Sequence, residues 1–384
     1  MKWDEDPQHD DLRSGVRQIC AGFPGSYWRG LEPDTYPAQF VDAITQAGFL
    51  SALIPEVYGG GGATLTEASV ILEEISASGG NPGACHAQMY VMGTVLRHGS
   101  VEQKLQYLPE IAAGRLRLQA FGVTEPGAGS ETTRISTRAE KVAGGWRING
   151  QKIWTSRARY SDLMLLLART TPYEECAKPT EGLSTFLVDM RNAEGITINP
   201  IKTMINHSTT EVFFDNVVIP DAALVGEVGK GFRYILDGMN AERILIAAEC
   251  IGDGRYLLEK AVDYANQRIV FDRQIGSNQG VQFPLAKAYA QLRAADLVRF
   301  DAAAKYDAGS PCASEANMAK LLASDASWAA ANAAMDTHGG FGFAVEYDIE
   351  RKFRETRLYQ VAPINNNLVL AYLGQHALGL PKSY

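Results

Sequence analysis

The sequence predicts a multidomain α+β protein with a helical N-terminal domain, a middle β-domain of sandwich or barrel type and a C-terminal helical bundle. Three observations predict it. Apolar residues recur at three- and four-residue spacing up to about residue 118. From there to about residue 228 the segments are short, β-branched or aromatic, and punctuated by turns. From Gly229 onward the helical period returns with Ala-rich stretches. The expected domains are therefore 1–118, 119–228 and 229–384.

In the first region VDAITQAGFLSALI, TEASVILEEISASG and SVEQKLQYLPEIAAG carry the helical spacing, and IPEVYGGGG and GGNPG interrupt it as loops. The middle region reads as strands: LRLQAFGVTEPG, GWRINGQKIWTS, LMLLLART, LSTFLVDM, GITINPIK and TEVFFDNVVIP. The last region holds GFRYILDGMNAERILIAAECIG, LLEKAVDYANQR, PLAKAYAQLRAADLVRFDAAAKYDAG and EANMAKLLASDASWAAANAAMDTHGG, alanine-rich helices suited to close antiparallel packing. The charged segment DIERKFRETR reads as a solvated helix face with internal ion pairs.

A chain of 384 residues exceeds one ordinary core. The net charge of −8 argues against nucleic acid or an anionic membrane as the main partner. No apolar run approaches the roughly 20 residues of a membrane span, and the acidic start MKWDEDPQHDD lacks a signal peptide's basic and apolar regions. Cys20, Cys85, Cys176, Cys250 and Cys312 have no metal-ligand spacing and read as reduced thiols of a cytoplasmic protein. His86, His207 and His338 are likewise isolated along the chain, so no metal site is expected. HAQMYVM (86–92) reads first as core packing and second as a lining for an acyl cavity.

Two stretches point to a ligand. FGVTEPGAGS (121–130) leaves a strand and enters a Gly-rich turn, where the main chain can approach a phosphate. QKIWTS (151–156) places an aromatic wall and two hydroxyls at the end of a strand. In order with QRIVFDRQIGSNQGVQF (267–283) and THGGFGFAVEYDIERKFRETRLYQ (337–360), these stretches resemble the acyl-CoA dehydrogenase family over nearly the whole chain.

The resemblance implies a C-terminal four-helix bundle and bound FAD between the β-domain and that bundle. It places Phe121, Val123 and Thr124 at the flavin ring and Gly129 and Ser130 near the pyrophosphate, with Ser130 also near substrate. Trp154 would stand beside the ring and Ser156 at its edge. Arg268, Phe271 and Gln279, with Asp336, Gly339 and Gly340, would complete the adenosine half from a second subunit, which implies a homodimer or homotetramer. Asp272 departs from the family, which usually has glycine there.

The segment YQVAPINNNLVL (359–370) departs further. Many family members carry a catalytic glutamate in this loop, and the ungapped position here is Pro363. No neighbour within the segment can act as a base, and Pro363 lacks the N–H that would donate to a thioester carbonyl. Ile364, a one-residue shift or the flavin ribityl hydroxyl would have to supply that donor.

A replacement base lies on the helix beginning near Gly229. Spacing aligns Glu242 with Ile235, Met239 and Ile246, and desolvation on such a stripe raises a carboxylate's pKa toward general-base range. Glu249 and Asp253 share the stripe, so spacing alone does not choose among the three. Resemblance to the isovaleryl-CoA dehydrogenase branch, which carries its base here before an arginine, selects Glu242. Arg243 would then meet substrate. The activity this implies is oxidation of an acyl-CoA, short or branched, to the trans-2-enoyl-CoA, with electrons passing to an electron-transfer flavoprotein. A flavin monooxygenase or N-oxidising enzyme on the same scaffold is the alternative.

Overall fold

A computed structural model describes residue 3 and residues 5–191 and 193–382. The helices are α1 Asp10–Cys20, α2 Gly25–Gly30, α3 Ala38–Gln46, α4 Leu65–Ala77, α5 Gly83–His98, α6 Val101–Ala112, α7 Gly231–Gln267, α8 Gln279–Asp307, α9 Ala313–His338, α10 Ile349–Leu358 and α11 Asn366–Tyr372. The strands are β1 Leu118–Gly122, β2 Arg138–Val142, β3 Gly145–Ser156, β4 Leu163–Arg169, β5 Leu183–Asp189, β6 Ile196–Pro200, β7 Thr209–Pro220, β8 Leu224–Val225, β9 Ile269–Val270 and β10 Arg273–Gln274. Helices, then a sheet, then helices follow the expected fold class.

The chain divides into two compact units, one made of 1–30, 64–82 and 240–384, the other of 31–63 and 83–239. The second holds the sheet, in order β6-β7-β3-β2-β4-β5-β8, with β1 also paired to β4. Alternation along β4 sorts its two faces. Met164 and Leu166 join Trp146, Phe186, Val212 and Phe214 in one core. Leu163 and Leu165 instead pack with Val91, Met92 and Val95 of α5 and Leu108 and Ile111 of α6. Every residue of β4 is buried, which is why LMLLLAR shows no polar alternation. A capping box of Ser100 and Gln103 starts α6, so the turn that brings it to the sheet is locally encoded.

In the helical unit α9 faces its neighbours with alanine: Ala316, Ala319, Ala323, Ala326, Ala330 and Ala334 are buried at three- and four-residue spacing. Leu257 and Leu258 of α7 and Leu285 and Leu292 of α8 fill the space those small residues leave. Polar groups join the remaining helices. Glu73 and Glu74 of α4 are buried and receive Arg13 of α1, Arg255 of α7 and, at Glu73, Arg299 of α8. Arg17 adds a bond of 2.6 Å to Glu74.

The α10 segment corrects the sequence reading. Arg351, Lys352 and Glu355 are buried, not a solvated face. Arg351 donates to Gly79 O at 2.8 Å and to Glu355 at 3.1 Å, and Lys352 donates to Asp253 of α7 at 2.7 Å. The pair with Glu355 is internal to the helix, as expected, but Gly79 and Asp253 are distant in sequence, so only tertiary folding shows that the remaining charges are matched inside. Among the described residues no helix is long and apolar enough to cross a membrane.

Burial raises the pKa of Glu73, but Arg299, Arg255 and Arg13 outweigh it and lower the group from 4.5 to about 2. A lowered folded pKa means this stabilisation is complete above about 4.5 and is lost as pH falls through about 2. Glu73→Gln should cost about 3–5 kcal/mol, since it leaves buried guanidinium groups unmatched. Denaturant unfolding between neutral pH and pH 2 should show the gap between wild type and variant closing with acidification.

Candidate active site

In the β-containing unit the two motif segments lie side by side. The Ile153 N–H donates to Thr124 O at 2.9 Å, joining the end of β3 to the loop after β1. That loop turns tightly, with reciprocal main-chain bonds of 3.2 and 3.0 Å between Glu125 and Ala128. Val123, Thr124 and Ser156 are partly buried, whereas Gly129 and Ser130 are exposed. Trp154 adopts a left-handed φ of 61° and is 58% exposed, an arrangement costly to keep without a use. A Cβ placed on Gly127 or Gly129 would meet nothing within 4 Å, so open space borders the main chain. Phe121 is partly buried with Tyr90 against it edge-on at 5.6 Å, and His86 meets Tyr90 at 5.2 Å.

The loop is anchored from below by a pair the sequence reading missed. Lys152 of β3 is fully buried and donates to Val123 O at 3.0 Å and to Glu125 Oε1 at 2.7 Å. Glu125 also accepts the N–H and hydroxyl of Ser136, at 2.6 and 2.8 Å, and the N–H of Thr137 at 2.9 Å. Burial works against both charges: it raises Glu125, which Lys152 and the N–H donors bring down to about 2, and it pushes Lys152 down to about 8. Both therefore stay ionised at neutral pH. The available signal was a lone lysine in the strand sequence QKIW.

An exposed indole, hydroxyls at its side and an open glycine main chain fit a planar ring carrying a pyrophosphate. The structure thus gathers Val123, Thr124, Gly129, Ser130, Trp154 and Ser156 on adjoining segments, with Phe121 on the strand that leads into them.

The helical unit holds the other candidates. Glu242 on α7 is 4% exposed, and the partly buried Arg243 donates to Asn240 Oδ1 at 3.1 Å. Burial lowers the Arg243 pKa against the attraction of Glu242 and Tyr372. Asp253, on the same stripe, is bound to Lys352 at 2.7 Å and to the Tyr359 hydroxyl at 3.0 Å. Burial raises its pKa even so. Glu249 is buried too, and its charge bears on Tyr359 and Cys250.

The acid-free segment is held by Lys320 of α9, whose ammonium donates at 2.7 Å to both Ile364 O and Asn366 Oδ1. Sequence reasoning passed over this lysine, although NMAKLLAS sets it on a stripe with Ala316 and Ala323.

Arg268, Phe271, Gln279, Asp336, Gly339 and Gly340 are all exposed. The Arg268 guanidinium lies 5.9 Å from the Phe341 ring, which brings the 268 and 339–341 segments together. Phe271 and Asp272 both have positive φ, at 50° and 61°, and form the two-residue turn between β9 and β10. The family's usual glycine at 272 would take that conformation without strain. His338 is buried, with its Nδ1 2.8 Å from Ala334 O and its ring stacked on Tyr264 at 4.4 Å.

Three family models match in order: acyl-CoA dehydrogenase N-terminal domain over 6–115, middle domain over 120–217 and C-terminal domain over 229–363. Acyl-CoA dehydrogenase FadE12 of Mycobacterium tuberculosis is 36% identical, covering 99% of this chain and 98% of its own. The mitochondrial short/branched chain specific acyl-CoA dehydrogenase of Rattus norvegicus is 30% identical, covering 88% of this chain and 77% of its own. The glutaryl-coenzyme A dehydrogenase glutaryl-CoA complex superposes with a TM-score of 0.91 at 29% identity, covering 100% of this chain and 98% of that one.

Lys152→Met should leave Glu125 buried without its cation and release the 123–125 main chain. Purified variant should hold at least about 10-fold less flavin than wild type, a loss of about 1.4 kcal/mol or more in binding. Absorbance of the purified protein near 450 nm per chain checks it.

Proposed function

We infer the activity from one premise: the chain belongs to the acyl-CoA dehydrogenase family. It is an oxidoreductase of that family, and the specific reaction proposed is α,β-dehydrogenation of a short or branched acyl-CoA to the trans-2-enoyl-CoA. The observation that carries this reading is the buried Glu242, beside Arg243 on α7, in a chain whose 359–370 segment offers no acid.

Each step is assigned to a group of this chain. FAD, when bound, supplies the acceptor for the hydrogen that leaves Cβ as hydride. Val123, Thr124, Gly129, Ser130, Trp154 and Ser156 hold it, with Phe121 on the strand that leads into them. Glu242 takes the α-proton, the role the family's loop glutamate fills elsewhere. Asp253 ties α7 to Lys352 and Tyr359. Arg243 meets the acyl-CoA, and Ser130 lies near it. Main-chain donors near the thioester carbonyl stabilise the enolate charge, an effect commonly worth about 3 kcal/mol per donor. Since Pro363 cannot donate, Ile364 or the ribityl hydroxyl is the proposed source.

The short or branched substrate is supported by likeness to the rat relative, a short/branched chain specific acyl-CoA dehydrogenase. We further propose electron transfer to an electron-transfer flavoprotein, a cytoplasmic location and the three-domain division at residues 118 and 228. A second copy of the chain is the proposed cover for Phe271, 94% exposed, and Phe343, 74% exposed, with Arg268, Gln279, Asp336, Gly339 and Gly340 on the same subunit reaching its cofactor.

Glu242→Gln keeps the shape and removes the base. Flavin reduction at saturating acyl-CoA should fall by about 10²–10⁴-fold, while the dissociation constant for substrate changes little. Anaerobic stopped-flow absorbance measures both quantities. Turnover equal to wild type would remove Glu242 from the mechanism.

A further inference from the structure

We propose that Lys320 is a positioning residue for this reaction, clamping the acid-free segment 360–366 to α9 while supplying a positive charge that acts on Glu242. The inference rests on the dehydrogenase reading and deepens it.

The clamp is visible in the hydrogen bonds. The Lys320 side chain is fully buried and its ammonium binds Ile364 O and Asn366 Oδ1, each at 2.7 Å. Asn366 Nδ2 returns to the same helix, donating to Ser324 Oγ at 3.1 Å and Asp325 Oδ1 at 3.0 Å. Gln360 Nε2 reaches Asp325 Oδ1 at 2.9 Å. Both ends of the segment are therefore tied to about one turn of α9.

The clamp alone does not explain a lysine. An amide side chain could donate to the same two oxygens without the desolvation cost of a buried cation, which is several kcal/mol in typical proteins. The charge has a counterpart on α7. Asp325 on α9 and, to a lesser degree, Glu242 on α7 favour the ammonium, whereas Arg243 opposes it. Burial outweighs them and brings Lys320 down to about 8, so the cation persists at neutral pH. Lys320 thus links the segment that lost the loop acid to the helix that carries the proposed replacement. In that arrangement it keeps the loop as a fixed neutral wall and sets a positive charge that acts on Glu242.

Three variants separate clamp from charge. Lys320→Gln keeps a donor and removes the cation, Lys320→Arg keeps the cation, and Lys320→Gln is also combined with Glu242→Gln. Each is loaded with FAD and mixed anaerobically with a saturating acyl-CoA, and flavin reduction is measured per bound flavin. For Lys320→Gln the rate constant should fall about 30-fold, while substrate affinity stays within about 3-fold. Lys320→Arg should retain at least about a third of the wild-type rate, and this comparison stands even if Lys320→Gln fails to fold. The double variant should be no slower than Glu242→Gln alone, because Lys320 acts through that carboxylate.

A Lys320→Gln rate within about 2-fold of wild type, an equal loss in Lys320→Arg, or losses that multiply in the double variant would overturn the proposal and leave the dehydrogenase reading intact. A wild-type protein that no acyl-CoA reduces would overturn both.

Discussion

Two adjacent carboxylates, Glu73 and Glu74, hold the helical unit together. They project from α4 into the interior and gather arginines from α1, α7 and α8. Burying so much charge is favourable only if every member is matched, because one missing partner strands an ion in low dielectric. That requirement fixes the helices relative to α4 more sharply than alanine packing could, since small apolar contacts tolerate sliding. α7 carries Glu242 as well as Arg255, so the network also sets the axial position of the proposed base. Lys352, bound to Asp253 and to Gly80 O at 2.5 Å, adds a second tie between α7 and its surroundings.

The β-containing unit solves a similar problem with one ion pair. A loop proposed to receive a cofactor must leave its main chain open, and so cannot be held by packing over it. Lys152 and Glu125 hold it from the buried side instead, through Val123 O and the N–H groups of Ser136 and Thr137. The exposed face is then free for a ligand. Trp154, held at positive φ beside the loop, is consistent with geometry maintained for function and not for stability.

The fold was legible because each region keeps one character: the short turn-bounded apolar runs of the middle region and the alanine stripe of α9 are both local signals. The two motifs singled out in the sequence, the glycine-rich turn and QKIWTS, do adjoin in the structure. What escaped the sequence was pairing over distance. DIERKFRETR reads as surface until Gly79 and Asp253 are seen to receive its charges. Glu242, Glu249 and Asp253 share one stripe, and nothing in that stripe shows that Lys352 and Tyr359 bind Asp253. The grip of Lys320 on Ile364 and Asn366 spans more than forty positions, beyond any periodic pattern.

The central claim is that a chain with no acid in its 359–370 segment still dehydrogenates acyl-CoA. Anaerobic titration of the FAD-loaded protein with acyl-CoAs of graded length and branching, followed by flavin absorbance, tests it most directly. The account predicts stoichiometric bleaching by a short or branched thioester, with the trans-2-enoyl-CoA as product. Unchanged absorbance with every thioester, together with oxygen consumption and an oxygenated product from the reduced protein, would contradict it and assign the scaffold to oxygen chemistry.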